Sequence, residues 1–406
     1  MKMRIMLVSP YTFAEEPGGV KDFILGLESS LAKKGHIVTV IAPGSKKAEK
    51  QGLVDFTLGR SFRLSTDQTE LTGSFSRKKT AGEILEKVAP DVVIIHEPFV
   101  PTIGHTIISA ILRKDLRIRP VIIGQFHARR EGFGFRLKAI EFIGKHIIRR
   151  PKLNRKTGFV LSSGYISTIN RNLDARIAVS KASKRFWQKR YPGEYKVIYN
   201  GIDTDELAPM APTSPRLRGA RKIIFFAGRH DARKGIGDLI NAFSLLIKSG
   251  ILGVKLKIAG EGEMTENLKA MVEKLSLRDF IEFVGVMPRA ELVKAYRTAD
   301  LLVAPSIDGE GFNRTIAEAR SCGTLVVCTN INGQKEAIGR ELSGFMARPD
   351  DSTSLAKQIK AVMDLPESKK QEIRRLGRED VVARFDWEII AKQHIAFYES
   401  LLPRGV

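Results

Sequence analysis

Glu310 and Glu318 stand with seven residues between them in the run Pro305-Ser-Ile-Asp-Gly-Glu-Gly-Phe-Asn-Arg-Thr-Ile-Ala-Glu-Ala-Arg-Ser-Cys-Gly-Thr-Leu-Val-Val327. Carboxylates accept hydrogen bonds, so two of them around a helix start can hold the hydroxyls of a sugar. The apolar Leu301 to Ala304 predicts a buried strand, Pro305 to Gly311 its exit loop, and Thr315 to Ser321 a helix ended by Gly323. The start of that helix, at Phe312, Asn313 and Arg314, offers backbone N–H groups and the positive end of the helix dipole to a diphosphate. Phosphate and hydroxyls held side by side point to a nucleotide sugar.

Four other strand ends carry chemistry. Ser9-Pro-Tyr-Thr is followed by Pro17-Gly18-Gly19-Val20 and a helix from near Lys21; glycines at such a turn, Gly19 above all, let backbone approach a phosphate. The runs ending in His96-Glu97-Pro98 and in Phe126-His127 place two histidines at strand ends. The sequence places no Asp, Ser or Cys beside His127, so the base of a nucleophile is not expected there; His96 is expected to be a satisfied core histidine. The strand Ile223 to Ala227 leads into Gly228-Arg229-His-Asp-Ala-Arg-Lys234-Gly235, with cations that can neutralise the charge developing on a departing nucleoside diphosphate.

The elements that must hold these residues form two series. Apolar runs at Arg4 to Val8, Ile37 to Ala42, Val92 to Ile95, Val121 to Gly124 and Ala175 to Val179 alternate with helical stretches. The pattern restarts with Ile223 to Ala227, Val254 to Ala259, Ile281 to Val284, Leu301 to Ala304 and Leu325 to Cys328. Continuous apolar strands separated by helices predict parallel sheets covered on both faces. The chain is thus expected to be α/β, with two Rossmann-like doubly wound domains facing a central cleft, since ligands bind at the carboxyl ends of such strands. The expected boundaries are 1–195, 196–385 and a last helix, 386–406, returning to the first domain.

These residues resemble the retaining GT-B glycosyltransferases of family 4, also called group 1, and the His-Glu-Pro and Phe-His strand ends most resemble those of the bacterial phosphatidylinositol mannosyltransferases. The resemblance implies that Glu310 binds hydroxyls of the transferred sugar and Glu318 the ribose. It places Gly19, Arg229, Lys234, Phe312, Asn313 and Arg314 on the donor diphosphate, and His127 beside the sugar. Where the family has glycine, this chain has Asn313, the best non-glycine residue for a left-handed backbone. The resemblance implies a carboxylate a few residues beyond the Val-Gly pair in guanine-using mannosyltransferases; here that neighbourhood holds Arg289, with Glu291 further along. The implied enzyme is metal-independent, with no cofactor; the nucleotide-diphospho-sugar is a co-substrate. Mannose from GDP-mannose is the first expectation for the donor.

The net charge of +22 on 406 residues bears on the partner. Between Arg129 and Lys156 lie ten basic residues, among them Arg129, Arg130, Lys138, Lys145, Arg149 and Arg150, interleaved with apolar ones and opposed by Glu131 and Glu141 alone. Residues 135–148 predict an amphipathic helix with a basic face, suited to an anionic membrane and hence to a lipid-linked acceptor. A second basic group runs from Arg171 to Arg190 around Phe186 and Trp187. No transmembrane run, signal peptide, zinc pattern or disulfide framework is expected, the two cysteines being Cys322 and Cys328. The expected location is cytoplasmic, peripheral at the inner face of the membrane. A UDP-sugar transferase with a soluble or polysaccharide acceptor, a nucleotide-sugar epimerase, or a basic nucleic-acid- or membrane-binding protein without catalysis are the alternatives. Nucleic acid is not expected, because no known binding module occurs and the two glutamates would be idle.

Overall fold

The computed structural model describes residues 1–13, 18–44, 52–66, 69–75, 78–100, 102–113, 118–127, 166–210 and 221–403, with side chains left undescribed over 60–77. The basic segment that carries Arg129, Arg130, Lys138, Lys145, Arg149 and Arg150 lies outside these residues. The chain divides into two compact units, one of Met1–Gly201 with Ile390–Val406 and one of Ile202–Ile389.

In the first unit the strands are β1 (Arg4–Val8), β2 (Ile37–Pro43), β3 (Phe56–Leu58), β4 (Arg60–Thr66), β5 (Thr69–Phe75), β6 (Val92–His96), β7 (Val121–Phe126), β8 (Ala175–Ala178) and β9 (Lys196–Val197). Seven of them form one sheet in the order β3-β2-β1-β6-β7-β8-β9, all pairs parallel. β4 and β5 form an antiparallel hairpin instead. Val92 to Ile95 are buried at 0–1 % exposure, as parallel strands covered on both faces require. The helices Gly19–Lys33, Lys78–Val88 and Ile103–Arg113 supply the cover through residues such as Phe23, Leu27, Leu85 and Ile107.

The second unit repeats the plan with β10 (Lys222–Ala227), β11 (Val254–Ala259), β12 (Ile281–Gly285), β13 (Leu301–Ala304), β14 (Leu325–Thr329) and β15 (Met346–Ala347). Its sheet runs β12-β11-β10-β13-β14-β15, again wholly parallel. The strand order reverses between β1 and β6 in one sheet and between β10 and β13 in the other. At such a switch point the loops leaving the two strands diverge and open a crevice at their carboxyl ends. The loops that leave these four strands are the ones carrying Gly18 and Gly19, Glu97, Arg229 to Gly235, and Glu310.

The helix Lys181–Arg190 settles the second basic group. Its Ser180 hydroxyl caps the N-terminus by accepting from Ser183 N at 2.9 Å. Trp187 is buried and Phe186 packs on the same core, while Lys181, Arg185, Lys189 and Arg190 stay exposed. The aromatics belong to the core of this unit, and the outer face carries these four cations with Gln188.

Candidate active site

In the second unit, two loops are pressed together at the switch point. After β10 the chain makes a 3-10 turn, Ala232–Lys234, capped by the Asp231 carboxylate, and Gly235 follows at φ +64°. A Cβ on Gly235 would lie 2.1 Å from Pro305 O, so both the backbone conformation and the close approach demand glycine. Ile307 N donates to Arg233 O at 2.7 Å. On the other side, a Cβ on Gly333 would lie 2.1 Å from Glu310 O. The loop bearing Glu310 is thereby fixed from two directions.

Lys234 and Glu310 meet there: Lys234 Nζ donates to Glu310 Oε1 at 2.6 Å, and Ser306 Oγ donates to the same oxygen at 3.0 Å. Burial pushes the Glu310 carboxyl up, but Lys234, Ser306 and Arg233 outweigh it and hold the group below its ordinary value. Arg229 behaves differently. Its side chain is 57 % exposed and lies 3.6 Å from Asp231, whose carboxylate is also held by Arg233 at 2.9 Å. One expected diphosphate cation is therefore exposed and the other is engaged by the expected sugar ligand.

The helix carrying Glu318 runs Arg314–Ser321, close to the expected span, with Asn313 as its N-cap residue. Asn313 has φ −85° and ψ 94°, so it does not take the left-handed conformation considered for it. Phe312 is buried edge-on against Phe385, ring centroids 5.0 Å apart. Glu318 is 6 % exposed and accepts three bonds: from Arg289 Nη1 at 3.2 Å, Arg314 Nη2 at 3.2 Å and the Tyr296 hydroxyl at 3.2 Å. Arg289 also reaches Glu206 Oε2 at 2.7 Å. The sequence did not show that two arginines and a tyrosine converge on Glu318. The Arg314–Glu318 contact was legible as an i,i+4 pair on a helix, whereas Arg289 and Tyr296 arrive from a neighbouring helix, Arg289–Thr298.

Arg320, on the same helix, is 1 % exposed. It reaches Glu341, Asp380 at 2.8 Å and Ala337 O at 2.7 Å, tying the helix to Glu367–Phe385.

In the first unit, Gly19 opens the helix Gly19–Lys33. A Cβ on Gly18 or Gly19 would meet no described atom within 4 Å, so packing of the described chain on itself does not require these glycines. His127 lies just past the end of β7. Its Nε2 is 2.9 Å from Nδ1 of His96, at the end of β6, and its backbone N–H donates to Glu97 Oε1 at 2.9 Å. His96 is thus a partner of His127 and not an ordinary core histidine. Glu97 sits at φ +48°, a strained conformation for a non-glycine residue, held by its N–H bond to Gln125 O. Phe23 packs edge-on against both rings, 5.8 Å from His96 and 4.9 Å from His127. His394, from the final helix Trp387–Leu401, lies 6.1 Å from Phe23, with its Nδ1 2.7 Å from the Tyr398 hydroxyl.

Among the described residues no group of three or more His, Cys, Asp or Glu side chains is placed to hold a metal ion, and no helix is long and apolar enough to cross a membrane. Cys322 and Cys328 are buried, and burial raises the Cys322 thiol to about 12, which leaves it unreactive.

Residues 17–206 match the family described as Glycosyltransferase Family 4, and residues 212–379 match Glycosyl transferases group 1. A phosphatidyl-myo-inositol mannosyltransferase of Mycobacterium tuberculosis is 25 % identical over 99 % of this chain and 98 % of its own. The enzyme of the same name from Propionibacterium freudenreichii is 28 % identical over 98 % and 94 %. The crystal structure of a glycosyltransferase from Rickettsia africae superposes with a TM-score of 0.73 at 20 % identity, covering both chains fully. Anabaena Alr3699/HepE in complex with UDP gives 0.71 at 20 % identity over 98 % of this chain and all of its own. With each half matched by its own family and two parallel sheets that share one plan, the chain belongs to the GT-B glycosyltransferases of group 1 and family 4, enzymes that transfer a hexose.

Proposed function

We propose that this enzyme moves a hexose from a nucleotide-diphospho-sugar to a hydroxyl group with retention of configuration, mannose from GDP-mannose being the first donor to test and a lipid-linked alcohol such as phosphatidylinositol the first acceptor. The observation that carries the reading is the Lys234–Glu310–Ser306 contact at the β10/β13 switch point. It sets a cation for phosphate beside a carboxylate for sugar hydroxyls. The full-length likeness to phosphatidyl-myo-inositol mannosyltransferases supports the sugar and the acceptor.

In this mechanism the acceptor oxygen bonds to the anomeric carbon on the face that the diphosphate leaves. The bond from that carbon to the phosphate oxygen breaks, and the departing oxygen takes the acceptor proton. Arg229 and Lys234 neutralise the diphosphate, with the N-terminus at Phe312, Asn313 and Arg314 adding backbone donors. Glu310 holds sugar hydroxyls, Glu318 serves the ribose through its cluster, Gly19 lies by the diphosphate, and His127 is the hydrogen-bonding group of the first unit. No step calls for a cofactor. The basic residues 129–156 and the exposed basic face of Lys181–Arg190 support a cytoplasmic enzyme that docks on an anionic membrane.

Arg289 stands beside Glu318 where the resemblance implies a carboxylate for guanine, which tells against guanine and leaves a UDP-sugar as the second reading of the donor. Thermal-shift and titration series with GDP-, UDP- and ADP-hexoses decide between them. Stabilisation by one donor, lost in Glu310→Ala and Arg229→Ala, supports the site and names the base. Stabilisation by none overturns the proposal. Transfer of labelled sugar to phosphatidylinositol vesicles, compared with soluble acceptors, then tests the lipid.

A further inference from the structure

Glu310 gives one oxygen to the protein and keeps the other for a ligand. Lys234 Nζ and Ser306 Oγ both donate to Oε1, at 2.6 and 3.0 Å. Oε2 accepts no bond among the described residues and is not one of the buried unpartnered atoms, so it meets solvent. A sugar hydroxyl can therefore reach Oε2 while the inner bonds stay in place. On the cation side, an ammonium group has three N–H donors, and Glu310 takes one of those on Lys234. The others can turn to a phosphate.

This sharing has opposite consequences for the sugar donor and for the nucleotide that transfer leaves behind. Each Lys and Arg of the loop after β10 already faces a carboxylate: Lys234 has Glu310, while Arg233 and Arg229 lie 2.9 and 3.6 Å from Asp231. A diphosphate at Lys234 thus has the Glu310 charge directly behind the cation, in a pair whose side chains are 22 % and 12 % exposed. Repulsion at such a depth is screened less than in water. A nucleotide hexose offsets it by donating a hydroxyl to Oε2, a hydrogen bond to a charged group. The nucleoside diphosphate has no such hydroxyl, and its newly terminal phosphate carries more negative charge at neutral pH.

We propose that Glu310, through its bond to Lys234, makes the site prefer the nucleotide hexose to the nucleoside diphosphate, so that loss of the hexose weakens the hold on the product and promotes its release. This role rests on the reading of Lys234 as a diphosphate ligand and Glu310 as a sugar ligand. It adds one feature: removing the carboxylate tightens the nucleoside diphosphate. A residue that only binds the sugar, or only braces the loop, has no such effect.

The test is isothermal titration of the full chain with GDP, UDP and ADP and with GDP-mannose, UDP-glucose and ADP-glucose. Glu310→Gln keeps the shape and drops the charge, Glu310→Ala drops both, and melting curves confirm the folded state of each. Relative to the parent, both variants should bind the nucleoside diphosphate more tightly and its hexose conjugate more weakly. The ratio of the two affinities should shift by roughly tenfold or more, the worth of one hydrogen bond to a charged group. Ser306→Ala disturbs the same loop but leaves the charge, and should not tighten the nucleoside diphosphate. If the parent binds both ligands and the Glu310 variants bind the nucleoside diphosphate no more tightly, the role is overturned and the transferase reading stands. Equal tightening in Ser306→Ala overturns it too, by assigning the effect to a loosened loop. A parent chain that binds none of the six sinks the transferase reading and this role with it.

Discussion

Lys234 Nζ lies 2.6 Å from Glu310 Oε1, although 76 positions separate them in the chain. The side chains are 22 % and 12 % exposed, so the pair is largely withdrawn from water, and the contact joins the loops that leave β10 and β13. A buried pair of this kind costs more to break than it contributes net. Removing Lys234 leaves a buried carboxylate with the Ser306 hydroxyl as a hydrogen-bond donor and Arg233 as the nearby cation. Lys234→Ala is expected to destabilise the second unit by about 3–5 kcal/mol, and Lys234→Met/Glu310→Gln by less than Lys234→Ala. Thermal unfolding of the two variants checks the order.

The same pair sets an acid dependence. The folded Glu310 carboxyl titrates below its ordinary value of 4.5, so its contribution is present above that pH and is lost as the pH falls through the lower folded value. Nucleotide-sugar stabilisation of the parent chain should weaken in that acid range. In Glu310→Gln this part of the dependence should be absent, and a titration that shows it unchanged would assign it to another group.

Gly235 combines φ +64° with a Cβ position 2.1 Å from Pro305 O. Gly235→Ala must strain the backbone and push the loop that bears Glu310. A loss of at least about 1–3 kcal/mol is expected from the conformation alone, together with weaker donor binding. Gly19→Ala meets no described atom within 4 Å, and should leave stability nearly unchanged while weakening donor binding. Paired melting and titration curves separate the two effects.

Arg320 is 1 % exposed and held by Glu341, Asp380 and Ala337 O. Arg320→Ala strands a buried Glu341 and is expected to cost about 3–5 kcal/mol. Arg320→Lys keeps the charge but not the planar fork, and should recover only part of it. Denaturation monitored by hydrogen exchange in the helix Arg314–Ser321 reads both.

His394 provides a pH test in the first unit. Burial lowers its folded value from 6.5 to about 3. A histidine kept neutral by the fold is protonated first in the unfolded chain, so its contribution is complete above about 6.5 and is lost as the pH falls from there towards 3. Each unit of that fall costs roughly 1.4 kcal/mol. Hydrogen exchange in β6 and β7, corrected for intrinsic rates, should show lower protection at pH 5.5 than at pH 7.5. His394→Leu should flatten the difference; an equally steep dependence in that variant would place its origin elsewhere, His96 being the first candidate.

The sequence by itself determined the class and the central strands of both sheets. Leu301–Ala304 was legible to the residue, because a strand buried on both faces must be apolar throughout and its polar neighbours mark its ends; Val254–Ala259 was legible too, although Lys255 and Lys257 interrupt its apolar residues and reach Glu282 on the next strand. The hairpin Arg60–Phe75 and the two-residue strands Lys196–Val197 and Met346–Ala347 carry no such run and were not legible. Motif spacing brought Glu310, Lys234 and His127 to strand ends, but which side chains meet depends on sheet order and loop packing. Only the fold decided that Lys234 binds Glu310, that His127 binds His96, that Arg289 and Tyr296 join Arg314 on Glu318, and that Asn313 keeps a negative φ. A short sequence window records which residues are apolar, and so where strands lie. It does not record the distance between two charged groups that a crossover of tens of residues brings together.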